Sequence, residues 1–173
     1  ARRCDRLEAD PASSGKPAVP AAVVPPVSLT IPPITASGSF CDTAASLCKA
    51  VRLYALSQGV KVVAAVCDAG GNLVCLERED DAYIASVDVA ANKAYTSVAL
   101  KMTTEEVGRL SQPGAPLYGI QFTNGGKVVI FGGGVPLIRD GAIVGGLGVS
   151  GGSAEQDTRF AAFGAQQFQK EMT

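Results

Sequence analysis

The stretch from residue 127 to residue 152 constrains the fold most, because glycines divide it into short apolar segments. It reads KVVIF, three glycines at 132–134, VPLIRDGAIVGGLGVS, and two glycines at 151–152. Short apolar segments bounded by turn residues predict strands. The Asp-Gly pair at 140–141 predicts a tight hairpin turn between two of them. Three strands are therefore expected in this part of the chain.

Helix and hairpin signals precede this stretch. Ser39, with Asp42 three residues later, forms a capping box and predicts a helix that ends near Gly59. Residues 60–80 read as two Val-rich strands around an Ala-Gly-Gly-Asn turn, which predicts a second hairpin. Residues 82–100 carry small and apolar side chains at helical spacing and predict a long helix.

The remaining signals complete the order of elements. Thr103 and the residues after it predict a short helix. Ser153, with Gln156 at the capping-box position, predicts a final helix that runs close to the C-terminus. The order is then α, ββ, αα, βββ, α. It predicts an α/β (α+β) domain in which a mostly antiparallel five-stranded sheet carries helices on its faces.

The chain of 173 residues suits one domain, which we place at 39–173. Residues 1–38 hold seven of the ten prolines and predict an extended, Pro-rich arm or linker. The arm also carries several large aliphatic side chains, which favour docking on another surface. Two interpretations stay open for it: a segment ordered against a partner, or a disordered tether.

Composition excludes several classes of function. The net charge is −1, and no Lys or Arg run gives the basic surface that nucleic acid requires. There is no histidine, which removes the commonest general base and metal ligand. Every apolar run is interrupted before it is long enough to cross a bilayer. We expect a soluble protein with no metal site, no nucleic-acid partner and no membrane span.

Cysteine usage bears on the compartment. The five cysteines lie at positions 4, 41, 48, 67 and 75, without CxxC spacing. An odd count and this spacing favour reduced thiols over a zinc site or a disulfide framework, which predicts a reducing intracellular compartment. The start Ala1-Arg2-Arg3 suggests processing, so a processed organelle or microcompartment protein stays open.

Several ordered blocks carry a family resemblance over about residues 40–172. They are CDAGGNLVCLERED, NKAYTSVALK, QPGAPLYGIQFTNGGKVVIFGGGVPLI and GAIVGGLGVSGGSAEQD. Together they resemble the GlcG/HbpS/PduO C-terminal family, which includes the OrfY-type proteins. The resemblance implies a profilin-like fold, frequent homo-oligomers or membership of a larger complex, and haem binding in some members.

Haem is a cofactor that only the resemblance suggests. Because the chain has no histidine, no axial imidazole can be assigned to a position here. Thiol, thioether and phenol groups also ligate haem iron. The formal candidates are Cys41, Cys48, Cys67, Cys75, Met102, Met172 and the four tyrosines. Burial of the thiols in a core is the competing interpretation.

Two features suggest a ligand site. The GVSGGS segment before the last helix can aim backbone N–H groups at an anion, although a strand-to-helix turn that needs positive φ or close packing is the favoured explanation of its glycines. Lys93 stands on the long helix among small and apolar residues, where it could hold an anionic ligand or pair with a carboxylate. The candidate ligand-binding residues are Lys93, Gly132, Gly133, Gly134, Gly151, Gly152 and Ser153.

No residue is assigned a catalytic role. The sequence supplies no Ser/His/Asp or Cys/His arrangement, and Asp68 is assigned to the first hairpin turn. The sequence favours a non-enzymatic accessory or structural subunit that docks through its domain surface and its arm. The alternative is a small-ligand module for haem or an anionic metabolite, and an enzyme acting through Lys93 ranks third.

Overall fold

The computed structural model describes residues 30–31 and 39–170. The elements in this part of the chain are α1 (Phe40–Ser57), β1 (Val63–Asp68), β2 (Leu73–Arg78), α2 (Ser86–Ala99), α3 (Thr104–Leu110), β3 (Gly134–Arg139), β4 (Ala142–Ser150) and α4 (Ala154–Lys170). Two short 3₁₀ turns, Ile120–Phe122 and Asn124–Gly126, lie between α3 and β3. In the described part of the chain, no helix is long and apolar enough to cross a membrane.

The strands form one antiparallel sheet in the order β2-β1-β4-β3. This confirms the α+β class, with four strands among the described residues where the sequence predicted five. The β3–β4 turn is the predicted one: Asp140 and Gly141 have φ values of 51° and 75°. Positive φ at both central residues is what a two-residue hairpin turn requires.

The sequence predicted a further strand at 127–131 (KVVIF), and this prediction is wrong. Its backbone pairs with a side chain of α2 and not with a neighbouring strand. The Thr96 hydroxyl accepts from the Val129 N–H at 3.0 Å, and its single proton is shared between the Asn92 carbonyl at 2.7 Å and the Lys127 carbonyl at 3.2 Å. Val128 and Val129 are buried in this position, so burial against the helix explains an apolar run that resembles a strand.

Helices cover both faces of the sheet. On one face, α1 and α4 pack against alternate residues of the central strands, in a core that includes Leu47, Leu147 and Phe160. On the other face, α2 packs against the intervening residues, such as Val63 and Ala65. This alternation follows from the two-residue period of a strand and gives the domain a helix–sheet–helix layering.

Local signals place the helix ends. The Ser39–Asp42 capping box is present at α1. At α4, the Ser153 N–H donates to Gln156 Oε1 at 2.9 Å and the Gln156 N–H to Ser153 Oγ at 3.3 Å. Both capping predictions are confirmed. By contrast, α2 begins at Ser86 and not at residue 82, after a turn with no side-chain cap.

Most of the predicted Pro-rich arm lies outside the described residues. Within it, Ile31 is half-buried and packs against the core that α1 and α4 share. A contact with the domain therefore exists before residue 39, where the sequence placed the domain boundary. The arm and that boundary stay predictions.

Candidate functional site

The most deeply buried charges of the described residues meet at the end of the sheet. Lys93 on α2 and Asp157 in the first turn of α4 have side chains 0% and 4% exposed, and Lys93 Nζ lies 2.8 Å from Asp157 Oδ2. The other oxygen, Oδ1, accepts the Gly152 N–H at 2.9 Å. Because α2 and α4 lie on opposite faces of the sheet, this ion pair joins the two helical layers.

The Lys93 ammonium group is surrounded by partners. Nζ donates to the Val149 carbonyl at 2.7 Å as well as to Asp157, and it lies 4.9 Å from the centroid of the Phe131 ring. An ammonium has three protons to donate, and two of them are used within the chain. Burial lowers the pKa of Lys93, while the adjacent Asp157 carboxylate opposes this shift.

The structure brings the candidate ligand-binding residues together around Asp157. Gly133 has a φ of 114°, and a Cβ built there would lie 2.7 Å from Lys93 Nζ and 2.8 Å from Asp157 Cβ. A Cβ built on Gly134 would lie 2.6 Å from the Lys93 carbonyl oxygen. The absence of a side chain at Gly133 therefore lets the two charged groups meet, and its absence at Gly134 lets β3 lie against the backbone of α2.

The remaining glycines and Ser153 serve the same junction. Gly132 packs directly on the Thr158 hydroxyl of α4, and Gly151 packs on the Lys61 carbonyl. Ser153 caps α4, and its carbonyl accepts the Asp157 N–H at 2.9 Å. The anion that this cluster of backbone N–H and ammonium groups receives is thus the carboxylate of Asp157. A role for these residues in binding an external ligand stays a prediction.

Sequence reasoning did not single out Asp157. Its signal was local: an acidic residue in the first turn of a predicted helix, where the helix dipole favours negative charge. Pairing it with Lys93, 64 residues earlier, required the tertiary fold.

The glycines of β4 have a different task. A Cβ on Gly146 would collide with the Ala94 carbonyl, and one on Gly148 would collide with the Ala90 carbonyl and lie 2.6 Å from the Ala94 nitrogen. The backbone of α2 therefore rests directly on the backbone of β4. Close packing of the helix backbone on the strand backbone therefore accounts for these positions.

A cavity of about 210 Å³ adjoins the junction. Its lining includes Phe131, Gly132 and the first turn of α4, together with the carboxylates of Glu105 and Glu155. Two carboxylates oppose an external anion at this end of α4, because like charges repel at short range. The described residues contain no group of three or more His, Cys, Asp or Glu side chains that could hold a metal ion.

Two thiols meet between α1 and β2. Cys48 is buried, and its thiol donates to the Cys75 backbone carbonyl at 3.9 Å, while the Cys75 side chain is partly exposed. The proximity of the two thiols lowers the pKa of Cys75 to about 7 and is the main reason that the pKa of Cys48 is raised. Cys67 is buried by α2, and desolvation raises its pKa to about 11. The cysteines of the described residues are free thiols.

Comparison with known proteins identifies the family. The model of the family described as "Haem degrading protein HbpS-like" matches residues 41–166. The chain belongs to the HbpS-like family. The match confirms the resemblance that the ordered sequence blocks carry.

Relatives of this HbpS-like chain include small proteins and parts of larger ones. It is 48% identical over 118 residues to an uncharacterized 15.0 kDa protein in the dhaT-dhaS intergenic region of Citrobacter freundii, which covers 68% of the chain and 83% of that protein. It is 49% identical over 102 residues to the corrinoid adenosyltransferase PduO of Salmonella typhimurium, which covers 59% of the chain. The chain spans only 30% of that PduO.

Solved structures agree with the HbpS-like fold. The Klebsiella pneumoniae protein ORFY superimposes with a TM-score of 0.69 at 41% identity, covering 71% of this chain and 85% of that one. A complex described as PduOC:Heme has a TM-score of 0.68 at 44% identity, covering 70% and 88%. HbpS itself has a TM-score of 0.66 at 30% identity, covering 80% and 93%.

Proposed function

We propose that this HbpS-like chain is a non-catalytic binding subunit that assembles with further copies of itself. The observation that carries the proposal is a set of four large apolar side chains left exposed on two loops. They are Tyr83 (73% exposed), Ile84 (81%), Tyr118 (67%) and Phe122 (81%). We call these four residues the apolar loops. Large exposed apolar groups are typical of protein contact sites.

Backbone hydrogen bonds hold the apolar loops in position within the chain itself. The carbonyls of Tyr83 and Ile84 accept N–H groups of the first turn of α2 at 3.0 and 3.2 Å. The N–H groups of Tyr118 and Phe122 donate to carbonyls three residues earlier, at 3.1 Å each. A contact surface whose backbone is already ordered pays less conformational entropy on binding.

Charge supports a second copy of the chain as the partner. The net charge is −1, and only 18% of the residues are charged. Two copies therefore repel each other weakly, and near-neutral surfaces favour self-association. The buried Lys93–Asp157 pair supports the non-catalytic part of the proposal, because these two charged groups are engaged with each other inside the fold.

The test is the oligomeric mass of the full chain, measured by light scattering over a series of protein concentrations. We expect an oligomer, and we expect Tyr83→Ser/Ile84→Ser and Tyr118→Ser/Phe122→Ser to lower its mass. Ile138→Ser is the matched control, because Ile138 is also exposed but lies on β3. A monomeric wild type, or loop variants that assemble as well as the control, would contradict the proposal.

Haem binding is the second candidate function. It is favoured by the 44% identity to the PduOC:Heme structure. The residues of this chain do not fit a histidine-ligated haem, because the sequence contains no histidine, and Cys48 and Cys67 are packed in the core. Tyr83 and Tyr118 are exposed, and tyrosine is an axial ligand in some haem proteins.

An absorption titration with haem tests this second candidate. We expect weak binding without a bis-His or His/Met low-spin spectrum, since no imidazole is available. Tyr83→Phe and Tyr118→Phe identify a phenolate ligand if either changes the spectrum. A tight, stoichiometric complex with a sharp Soret band would make haem binding the main function and displace the subunit proposal.

A further inference from the structure

We propose that a cleft between the β1–β2 turn and α2 binds a small organic monocarboxylate. The cleft has a volume of about 300 Å³, and its lining includes Gly71, Asn72, Leu73, Asn92, Tyr95 and Lys127. We call it the turn–helix cleft. Pockets for small ligands begin at about this volume and combine apolar walls with a few polar groups. This site is separate from the apolar loops and from the Lys93–Asp157 junction.

Lys127 supplies the positive charge of the turn–helix cleft. Its Nζ lies 5.6 Å from the centroid of the Tyr95 ring. The ion pairs of the described residues use Arg52, Lys61, Lys93 and Arg109, and none of them involves Lys127. Its ammonium group is therefore available to a carboxylate, whereas that of Lys93 is already paired.

Hydrogen bonds hold the walls of the cleft in position. The Thr96 hydroxyl on α2 accepts the Val129 N–H at 3.0 Å and holds the segment that follows Lys127 against the helix. Asn124 Nδ2 donates to the Tyr95 hydroxyl at 3.1 Å. Gly71, at a φ of 80°, packs so closely on the Tyr95 ring that a Cβ there would lie 2.9 Å from Cδ2. Preorganisation of this kind reduces the cost of binding.

The remaining lining selects the ligand class. Leu73 is exposed and offers an apolar wall beside the aromatic ring. Asn92 precedes Tyr95 by three residues, so both lie on one face of α2. Asp68 is the acidic residue nearest the turn, and the lining of the cleft does not include it. Its carboxylate accepts the N–H groups of Gly70 and Asn72 at 2.8 and 2.9 Å and is therefore engaged by the turn backbone.

A single ammonium beside an apolar and aromatic surface matches one negative charge on a planar or apolar body. A phosphate dianion would leave one charge without a partner. The turn–helix cleft therefore fits a small carboxylate with an apolar body better than it fits a phosphate.

Benzoate is the probe, and binding to the full chain is followed by NMR chemical-shift mapping and titration. We expect shifts at the β1–β2 turn and around Tyr95, and no comparable binding of the neutral benzamide or of inorganic phosphate. Lys127→Met should weaken benzoate binding about tenfold, the size of one charge-assisted contact, and Lys127→Arg should restore most of it. Lys49→Met, an exposed lysine on α1, is the control.

Four results would overturn the proposal. Three of them are the absence of benzoate binding, equal binding of benzoate and benzamide, and unchanged affinity in a Lys127→Met variant whose thermal unfolding matches the wild type. Equal affinity for phosphate and benzoate would also overturn it, because that outcome indicates a general attraction for anions. The oligomeric mass of the chain decides none of these outcomes, so this test and that of the assembly proposal fail independently.

Discussion

At the scale of single residues, the Lys93–Asp157 ion pair is the feature that the surrounding residues contact and hydrogen bond. Two charges removed from water need good pairing geometry and additional hydrogen bonds to offset their desolvation. Here the two partners bind each other, Val149 accepts a second proton of Lys93 Nζ, and the Gly152 N–H donates to the other Asp157 oxygen. Loss of one partner leaves the other charge buried without compensation.

We therefore expect Lys93→Met and Asp157→Asn each to lower the free energy of unfolding by about 3–5 kcal/mol. The double variant Lys93→Met/Asp157→Asn should lose much less than the sum, since it leaves no unpaired charge. Urea unfolding monitored by circular dichroism measures all three. Lys61→Met is the control, because its partner Asp81 is exposed and such a pair contributes at most about 1 kcal/mol. Additive losses in the double variant would contradict this account.

Cys75 gives a pH-dependent prediction. Its pKa is lowered to about 7 by the adjacent Cys48 thiol, and the thiolate is the reactive form. Alkylation of Cys75 by iodoacetamide should therefore accelerate as the pH rises through about 7. Cys48→Ala should move this midpoint upward toward the ordinary value, and Cys48→Ser, which keeps a donor, should move it less. Peptide mass spectrometry locates the label, and an unchanged midpoint in Cys48→Ala would refute the assigned cause.

Sequence reasoning listed Lys93, the glycines and Ser153 as candidate ligand-binding residues, because glycine-rich turns and a capped helix start are local signals, and that ligand role stays a prediction. It could not supply the identity of the anion. Asp157 resembles any acidic residue in a first turn, and only the layering of α2 and α4 on opposite faces brings it to Lys93.

At the scale of elements, prediction succeeded where the backbone bonds are local. The capping boxes at Ser39 and Ser153 and the turn at 140–141 each depend on residues within three positions of one another. It failed at 127–131, where the partner of the backbone is Thr96, about thirty residues earlier. An apolar run shows burial, and it does not show which element covers it.

The contact between α2 and β4 leads to a prediction about glycine. Gly148→Ala places a methyl group against the Ala90 carbonyl, a backbone atom that cannot rotate away. We expect a loss of about 3 kcal/mol, at the upper end of overpacking costs. Gly141→Ala meets open space and bears only the strain of its φ of 75°, about 1–2 kcal/mol. Thermal unfolding compares the two variants. Equal losses would show that α2 can shift to accept a side chain.

At the scale of the whole molecule, the α+β class could be predicted because hydrophobic period, turns and caps agree along residues 39–170, whereas the family could be predicted only from the resemblance that the ordered sequence blocks carry. The exposure of the apolar loops could not be predicted, because an exposed Tyr83 or Phe122 is indistinguishable in sequence from a buried aromatic residue. The Pro-rich arm stays a prediction, and Ile31 is its one described contact with the core.

Two deletions separate the roles of the arm. Removal of residues 1–29 keeps Ile31, and removal of residues 1–34 deletes it. We expect both shortened chains to fold, with the second less stable by about 1 kcal/mol for the lost apolar contact. If the arm captures a partner, both deletions lower the native mass of the assembly. If the assembly of the chain that lacks residues 1–29 contains the same number of subunits as that of the full chain, the arm is only a tether.

The position of Asp157 also affects how the protein is made. Lys93 leaves the ribosome 64 residues before its counter-charge, and synthesis proceeds at about 5–20 residues per second. During those seconds the sheet can pair, but closing it would bury a lone ammonium. We expect nascent chains arrested before residue 157 to remain sensitive to protease, and chains arrested after α4 has emerged to become resistant. We therefore expect the domain to reach its folded state only after its last helix has left the ribosome, and not step by step from its N-terminus.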